Sequence, residues 1–147
     1  MFAIDTNILV YAHNADSKFN QAATAFLENA INQTDVKGNF TFCIPAQVLT
    51  EFINVMTWEK LPNPLTIVQA ITIVEDYLQI GIPILNQRET QLTTFLELLA
   101  QTTSRKRIFD VALAATLKDN NISKIYTVNV NDFKAFKFLT VINPLSE

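Results

Sequence analysis

The chain opens with FAIDTNILV (residues 2–10), in which a short apolar run ends at an acid followed by a hydroxyl and an amide side chain. A continuous apolar run, without polar alternation, indicates a strand buried on both faces. Similar runs predict further strands at residues 40–44, 82–85, 125–128 and 139–142. Apolar residues at helical spacing separate them. Because strands and helices alternate, the sequence predicts an α/β fold with a parallel sheet between helices.

The predicted helices cover residues 19–31, 45–59, 67–78, 92–99 and 110–118. Pro45 suits the first turn of the second of these helices, since proline has no backbone N–H to lose there. No repeat, low-complexity tract or Gly/Ser linker divides the sequence. We therefore expect one domain over residues 1–147.

Composition narrows the classes of function. Hydrophobic residues make up 49% of the chain and charged residues 17%, a balance that favours a compact fold over disorder. The net charge of −3 argues against a protein that coats DNA with a broad basic face. With 2 glycines and neither GxxxxGK[ST] nor GxGxxG, the sequence excludes the glycine-rich nucleotide-binding loops.

The single cysteine, Cys43, lies in an apolar run and is expected to be a buried small hydrophobe. The chain start resembles no signal peptide, and no apolar stretch approaches the roughly 18 residues of a membrane span. We expect a cytoplasmic protein with no membrane association.

Four acids, spread over most of the sequence, fall near one edge of the predicted sheet. Asp5 follows the first strand, and Asp132 follows the fourth. Glu51 lies early in the helix that leaves the second strand, and Asp110 is predicted to start its helix. Ligand sites of parallel sheets gather at the carboxyl ends of the strands, so we expect these acids to converge.

Each acid also has a purely structural explanation. Asp5 could cap the following helix, and Asp110 could interact with a helix dipole. Glu51 could be a solvated surface residue, and Asp132 a turn former. What favours a site is the cost of convergence, because packed carboxylates repel one another unless a cation lies among them.

Oxygen ligands favour Mg²⁺ or Mn²⁺, and the absence of Cys or further His ligands disfavours zinc. His13, the only histidine, lies in a polar run and is predicted at the surface. Metal ions held by carboxylates activate water for attack on phosphorus and stabilise the leaving oxygen. The pattern therefore indicates phosphodiester hydrolysis.

Four segments together resemble the PIN domain family of nucleases: FAIDTNILV (2–10), VLTEF (48–52), IFDVALAAT (108–116) and TVNVNDF (127–133). Their order and spacing run the length of the chain. The resemblance implies a three-layer α/β/α fold with a five-stranded parallel sheet, and Mg²⁺- or Mn²⁺-dependent endoribonuclease activity.

Mapped onto this chain, the resemblance makes Asp5, Glu51, Asp110 and Asp132 the catalytic acids, which bind metal directly or through water. Three neighbours would orient carboxylates or water: Asn7, Thr127 and Asn129. Asn129 stands where many members place an acid, so the choice between one and two metal ions stays open.

Many small bacterial members are the toxin of a VapBC-type toxin–antitoxin pair, and they often dimerise. The resemblance thus implies an RNA substrate, a cognate DNA-binding antitoxin and a homodimer. The basic cluster Arg105, Lys106 and Arg107 could contact RNA, although a solvated loop that offsets nearby acids is slightly favoured. The aromatic residues are expected in the core or at a dimer interface rather than under RNA bases.

Other classes compete with a toxin nuclease. An aspartate-nucleophile phosphatase needs a second Asp two residues after Asp5, where this chain has Asn7. A phospho-acceptor receiver domain needs paired acids early in the chain and a late lysine. This sequence has only Asp5 after the first strand, so both of these classes are disfavoured. A solitary RNA-processing nuclease, and a non-catalytic PIN fold that binds RNA or protein, both stay open.

Overall fold

A computed structural model describes residues 1–102, 105 and 108–146, and a parallel sheet of five strands forms its centre. The elements follow one another as β1 (Phe2–Ile4), α1 (Thr6–His13), α2 (Asn20–Asn32), β2 (Phe42–Pro45), α3 (Ala46–Met56), α4 (Ile67–Ile80), β3 (Ile84–Leu85), α5 (Gln91–Leu99), α6 (Ile108–Asp119), β4 (Lys124–Tyr126), α7 (Val130–Phe133) and β5 (Thr140–Ile142). The expected α/β class, with five parallel strands flanked by helices, is confirmed.

The strands lie in the order β3-β2-β1-β4-β5, with β1 at the centre. Ala3 is in register with Cys43 of β2 on one side and with Ile125 of β4 on the other. The chain moves outward from β1 through β2 to β3 and then crosses to β4, so the strand order reverses beside β1. Ligands of such sheets bind at the carboxyl ends of the strands where this reversal occurs.

The inner strands are apolar because both of their faces are covered. Ala3, Ile4, Phe42, Cys43 and Ile44 are all fully buried. The expectation for Cys43 is confirmed, and burial raises the pKa of its thiol to about 11. A thiol this protonated and enclosed is a packing group rather than a nucleophile.

Several boundaries differ from the predicted ones. Phe40 forms an isolated antiparallel bridge with Thr34, so β2 begins only at Phe42. The helix predicted through residue 59 ends at Met56, whose carbonyl accepts a hydrogen bond from the Leu65 N–H at 2.8 Å. That bond closes the following loop back onto the helix end, which stops the helix early.

Local chemistry sets both ends of α4. The Thr66 hydroxyl accepts from the Gln69 N–H at 3.1 Å, and the Gln69 side chain accepts from the Thr66 N–H at 2.9 Å. This reciprocal pair satisfies two N–H groups at the helix start. At the other end Gly81 has a φ of +90°, a conformation that suits glycine as a helix terminator.

Candidate active site

Asp5 lies between β1 and α1, and its hydrogen bonds connect it to both the sheet and the helix. Its backbone N–H donates to the Tyr126 carbonyl at 3.0 Å, which continues the pairing of β1 with β4. Its side chain caps α1, because Oδ1 accepts from the Thr6 N–H at 2.8 Å. The helix-capping explanation of Asp5 is therefore true, and it leaves Oδ2 for other partners.

Thr127 provides the principal partner of Oδ2. Its hydroxyl donates to Asp5 Oδ2 at 2.7 Å, although the two residues are 122 positions apart in sequence. Thr127 is fully buried, and its own N–H donates to the Ile142 carbonyl at 2.9 Å. β4 ends one residue earlier, at Tyr126, so this side chain stands at the carboxyl end of its strand.

Asn7 joins these two side chains. Its Nδ2 donates to Asp5 Oδ2 at 3.3 Å and to Thr127 Oγ1 at 3.1 Å, while its Oδ1 accepts from the Val128 N–H at 3.2 Å. The Asn129 N–H donates to Thr127 Oγ1 at 3.0 Å, and the Asn129 side chain is exposed. The contact of Asn129 with this network thus runs through its backbone.

Electrostatics at Asp5 oppose its negative charge. Burial raises the pKa of the Asp5 carboxyl, and the hydrogen bonds from Thr127 and the Thr6 N–H lower it in part. The charges of Glu51 and Asp132 raise this pKa further. Glu51 and Asp132 therefore each lie close enough to Asp5 for their charges to oppose its own, as expected from strands that share one edge.

Glu51 lies in the second turn of α3 and is held at both of its oxygens. Oε2 accepts from the Thr6 hydroxyl at 2.7 Å, and Oε1 accepts from Gln47 Nε2 at 2.9 Å. Gln47 Nε2 also donates to the Phe109 carbonyl at 3.0 Å. This second bond ties the first turn of α6, which carries Asp110, to the neighbourhood of Glu51.

Two of these positions differ from the sequence expectation. Asp110 does not start its helix but is the third residue of α6, where it is half-buried. Its carboxylate still lies in the first turn, where the helix dipole favours a negative charge. Asp132 is likewise the third residue of the short α7 and half-buried.

Thr6 and Gln47 were not predicted to take part. Thr6 directly follows Asp5 at the start of a helix, and Gln47 lies four residues before Glu51 on the same helix face. Spacing of four residues is the signal that could have identified Gln47, because side chains at i and i+4 are neighbours on a helix. No comparable signal links Thr6 to Glu51, which are 45 residues apart.

The basic cluster is described only in part. Arg105 is exposed, whereas Lys106 and Arg107 lie outside the described residues. The prediction that His13 is a surface residue was wrong. His13 is half-buried at the end of α1, where its Nε2 lies 2.6 Å from the Tyr77 hydroxyl.

The donor set suits a hard cation, since it consists of carboxylate, hydroxyl and amide oxygens. Within residues 1–102, 105 and 108–146, no group of three or more His, Cys, Asp or Glu side chains is arranged to hold a metal by itself. Mg²⁺ fits such an arrangement, because it binds one or two carboxylates and completes its octahedron with water and substrate phosphate.

Within the part of the chain that the structure describes, no helix is both long and apolar enough to cross a bilayer.

This fold and site define the class of protein. The family model of the PIN domain matches residues 2–139, so the chain belongs to the PIN domain family. Its members are typically metal-dependent nucleases. The chain is also 28% identical over 161 aligned positions to the ribonuclease VapC24 of Mycobacterium tuberculosis, an alignment that covers 99% of this chain and 98% of the relative. It is thus a homologue of the VapC-type ribonuclease toxins.

Solved structures agree on the fold. VapBC2 of Rickettsia felis, crystallised with a DNA fragment from its promoter, superimposes with a TM-score of 0.66 at 21% identity, covering 97% of both chains. VapC20 of Mycobacterium tuberculosis, a toxin that cleaves the sarcin–ricin loop, gives a TM-score of 0.67 at 14% identity and covers 92% of this chain and 95% of its own.

Proposed function

We propose that residues 1–147 act as a single-domain endoribonuclease that hydrolyses RNA phosphodiester bonds with Mg²⁺ or Mn²⁺. One observation carries the proposal: Asp5 is 6% exposed, and burial together with the charges of Glu51 and Asp132 raises the pKa of its carboxyl. Keeping the Asp5 carboxylate ionised beside other acids costs folding free energy unless a cation compensates the negative charge.

In this proposal Asp5, Glu51, Asp110 and Asp132 hold the metal directly or through water. When bound, the metal would supply an activated water and neutralise the oxygen that leaves. The chain itself supplies orientation. Thr127 and Asn7 direct Asp5 Oδ2, and outer hydrogen bonds of this kind fix how a carboxylate presents its lone pairs.

Glu51 is oriented in the same manner from two helices. Thr6 and Gln47 each donate to a different oxygen of its carboxylate. The donor to Oε2 comes from α1 and the donor to Oε1 from α3 itself, so the plane of the carboxylate is defined. The charge of Glu51 raises the pKa of the Asp5 carboxyl, so the two acids lie close enough to interact.

We further propose that the chain is the toxin of a toxin–antitoxin pair, acts in the cytoplasm as a homodimer and is inhibited by a DNA-binding antitoxin. The full-length similarity to VapC24 supports this. Expression in a bacterium without an antitoxin should arrest growth, and Asp5→Asn should relieve the arrest. Normal growth with active wild-type enzyme would indicate a solitary processing nuclease instead.

The activity is tested by incubating purified protein with a mixed pool of single-stranded RNA and Mn²⁺. We expect cleavage that disappears with excess chelator and with Asp5→Asn. Glu75→Gln is the matched control, because Glu75 is an exposed acid on α4 and carries no role in the site. Cleavage that survives the chelator or the Asp5 substitution would overturn the mechanism.

A further inference from the structure

Phe109 is an unusual residue for its place in the fold. It lies in the first turn of α6, directly before Asp110, and is 75% exposed. The next turns of the same helix are almost completely buried. Leaving a phenyl ring in water forgoes the free energy that burial of such a side chain provides. An exposed aromatic ring beside a reaction centre therefore suggests a ligand that covers it.

The backbone that carries this ring is anchored. The Phe109 carbonyl accepts from Gln47 Nε2 at 3.0 Å, and the same nitrogen donates to Glu51 Oε1 at 2.9 Å. One amide group thus links the backbone of Phe109 to an acid of the candidate active site. A ligand stacked on the ring would lie at a defined place relative to Glu51.

Phe109 borders an open cavity of about 570 Å³, which also has Gln47 and Glu51 in its wall. Its other polar side chains include Asn86 and Gln87, which follow the carboxyl end of β3. The cavity is therefore on the edge of the sheet where Asp5 lies. Small-molecule pockets fall in the range of roughly 300–1,000 Å³.

The loop after β3 is held in place, while its amide side chains are available. Asn120 Nδ2 donates to the Asn86 carbonyl at 3.0 Å, and Arg88 Nε donates to Asn120 Oδ1 at 2.9 Å. Among the described residues, the side-chain amides of Asn86 and Gln87 make no hydrogen bond. Each amide offers two donor hydrogens and an acceptor oxygen.

The chemistry of the wall selects a class of ligand. Among the described residues that line this cavity, Glu51 is the one charged side chain, and neutral amides and the Phe109 ring form much of the rest of the wall. A flat aromatic face with neutral amides beside it matches a nucleobase, which stacks on one side and forms hydrogen bonds along its edge.

We propose that Phe109 is a stacking platform for an RNA base next to the bond that is cut, and that Asn86 and Gln87 contact the edge of that base. The inference rests on the proposed ribonuclease activity and adds the residues that bind and select the substrate. It differs from the sequence expectation, which placed the aromatic residues in the core or at a dimer interface rather than under RNA bases.

Two measurements test this on matched variants. Short single-stranded RNAs that contain 2-aminopurine report stacking by fluorescence quenching, with chelator present so that no cleavage occurs. Steady-state cleavage of the same RNAs with Mn²⁺ gives kcat and KM. The variants are Phe109→Leu, which keeps an apolar side chain without a π-face, and Phe109→Trp, which keeps the face.

Phe109→Leu is expected to lose quenching and to lower kcat/KM by about 5- to 150-fold, mostly through KM, the size of one base–aromatic stack. Phe109→Trp should retain both properties. Gln87→Ala should weaken the preference for the base beside the cut. Val36→Ala is the control, because Val36 is an exposed apolar residue in the loop before β2, at the opposite edge of the sheet.

The outcomes separate this inference from the ribonuclease proposal. Quenching that depends on Phe109, in a protein that cleaves no RNA, would overturn the nuclease but retain the base platform. Active wild-type enzyme with unchanged quenching and KM in Phe109→Leu would overturn the platform. A lower molar mass for Phe109→Leu than for the wild type, measured by light scattering, would also overturn the platform. The ring would then lie in an interface between two copies of the chain.

Discussion

The two ends of α1 bury polar side chains in contrasting ways. At its start, Asp5, Thr6 and Asn7 join hydrogen bonds that reach Glu51 and Thr127. At its end, His13 forms a single hydrogen bond of 2.6 Å with the Tyr77 hydroxyl. Both groups of side chains are partly or fully buried, and both have hydrogen-bond partners.

The hydrogen-bonded pair at the end of α1 is uncharged. The His13 ring packs edge-on against Phe52, with centroids 5.4 Å apart, and burial lowers the pKa of the imidazole. Burial likewise raises the pKa of the Tyr77 hydroxyl, so both groups stay uncharged near neutral pH. A neutral pair of this kind needs nothing further to be stable.

The start of α1 differs because acidic side chains gather there, and the hydrogen bonds to Asp5 offset only part of the rise in its pKa. The charges of Glu51 and Asp132 add to that rise. The comparison teaches that burial and hydrogen bonding alone do not distinguish a functional site from a structural pair. Uncompensated charge does.

Asp5→Asn, at the start of α1, should have the largest effect of the substitutions considered. Removing the central carboxylate should lower kcat for RNA cleavage by at least about 100-fold, more than loss of an outer hydrogen-bond partner typically costs. The melting temperature should rise with millimolar Mn²⁺ in the wild type and less in the variant, since binding stabilises the native state. Cleavage within tenfold of wild type would contradict the role of Asp5.

Thr127→Val removes the hydroxyl that orients Asp5 while keeping the shape of the side chain. We expect activity or Mn²⁺ affinity to fall by about 10- to 100-fold, the usual effect of losing a partner of a metal-binding carboxylate. Thr127→Ser, which restores the hydroxyl, should recover most of the loss. Equal activities of the Val and Ser variants would show that the hydroxyl has no such role.

Tyr77→Phe tests the opposite end of α1. It leaves the His13 nitrogen without its partner in a partly buried place, so unfolding free energy should fall by about 1–3 kcal/mol. RNA cleavage by the folded variant should stay within twofold of wild type. Urea denaturation and the cleavage assay measure the two effects. A large loss of activity would show that the two ends of α1 are functionally coupled.

The smallest effect concerns pH and His13. Because its pKa is lower in the folded state than the usual 6.5, the unfolded chain takes up a proton first as pH falls. The contribution of His13 to stability is thus intact above pH 6.5 and declines below it, down to the folded-state pKa. His13→Gln, which can still bind Tyr77, should show a shallower loss of melting temperature between neutral and mildly acidic pH; parallel curves would contradict the assignment.

Local sequence was sufficient for the parallel sheet and for the edge that carries the acids. The FAI and FCIP strands are continuous apolar runs because both faces of each strand are covered, and that pattern is visible without coordinates. Asp5 follows one such run directly. Since parallel strands end on the same side, the position of an acid after its strand predicts its place in the sheet.

Tertiary structure alone decided which side chains meet. Thr6 reaches Glu51 across 45 residues, and His13 reaches Tyr77 across 64, because α1 packs against α3, which in turn packs against α4. Nothing in the polar run around His13 distinguishes a surface histidine from one that packs on Phe52. Hydrogen bonds act over about 3 Å, so they depend on how helices are placed in space, whereas burial patterns repeat along the chain and can be read from it.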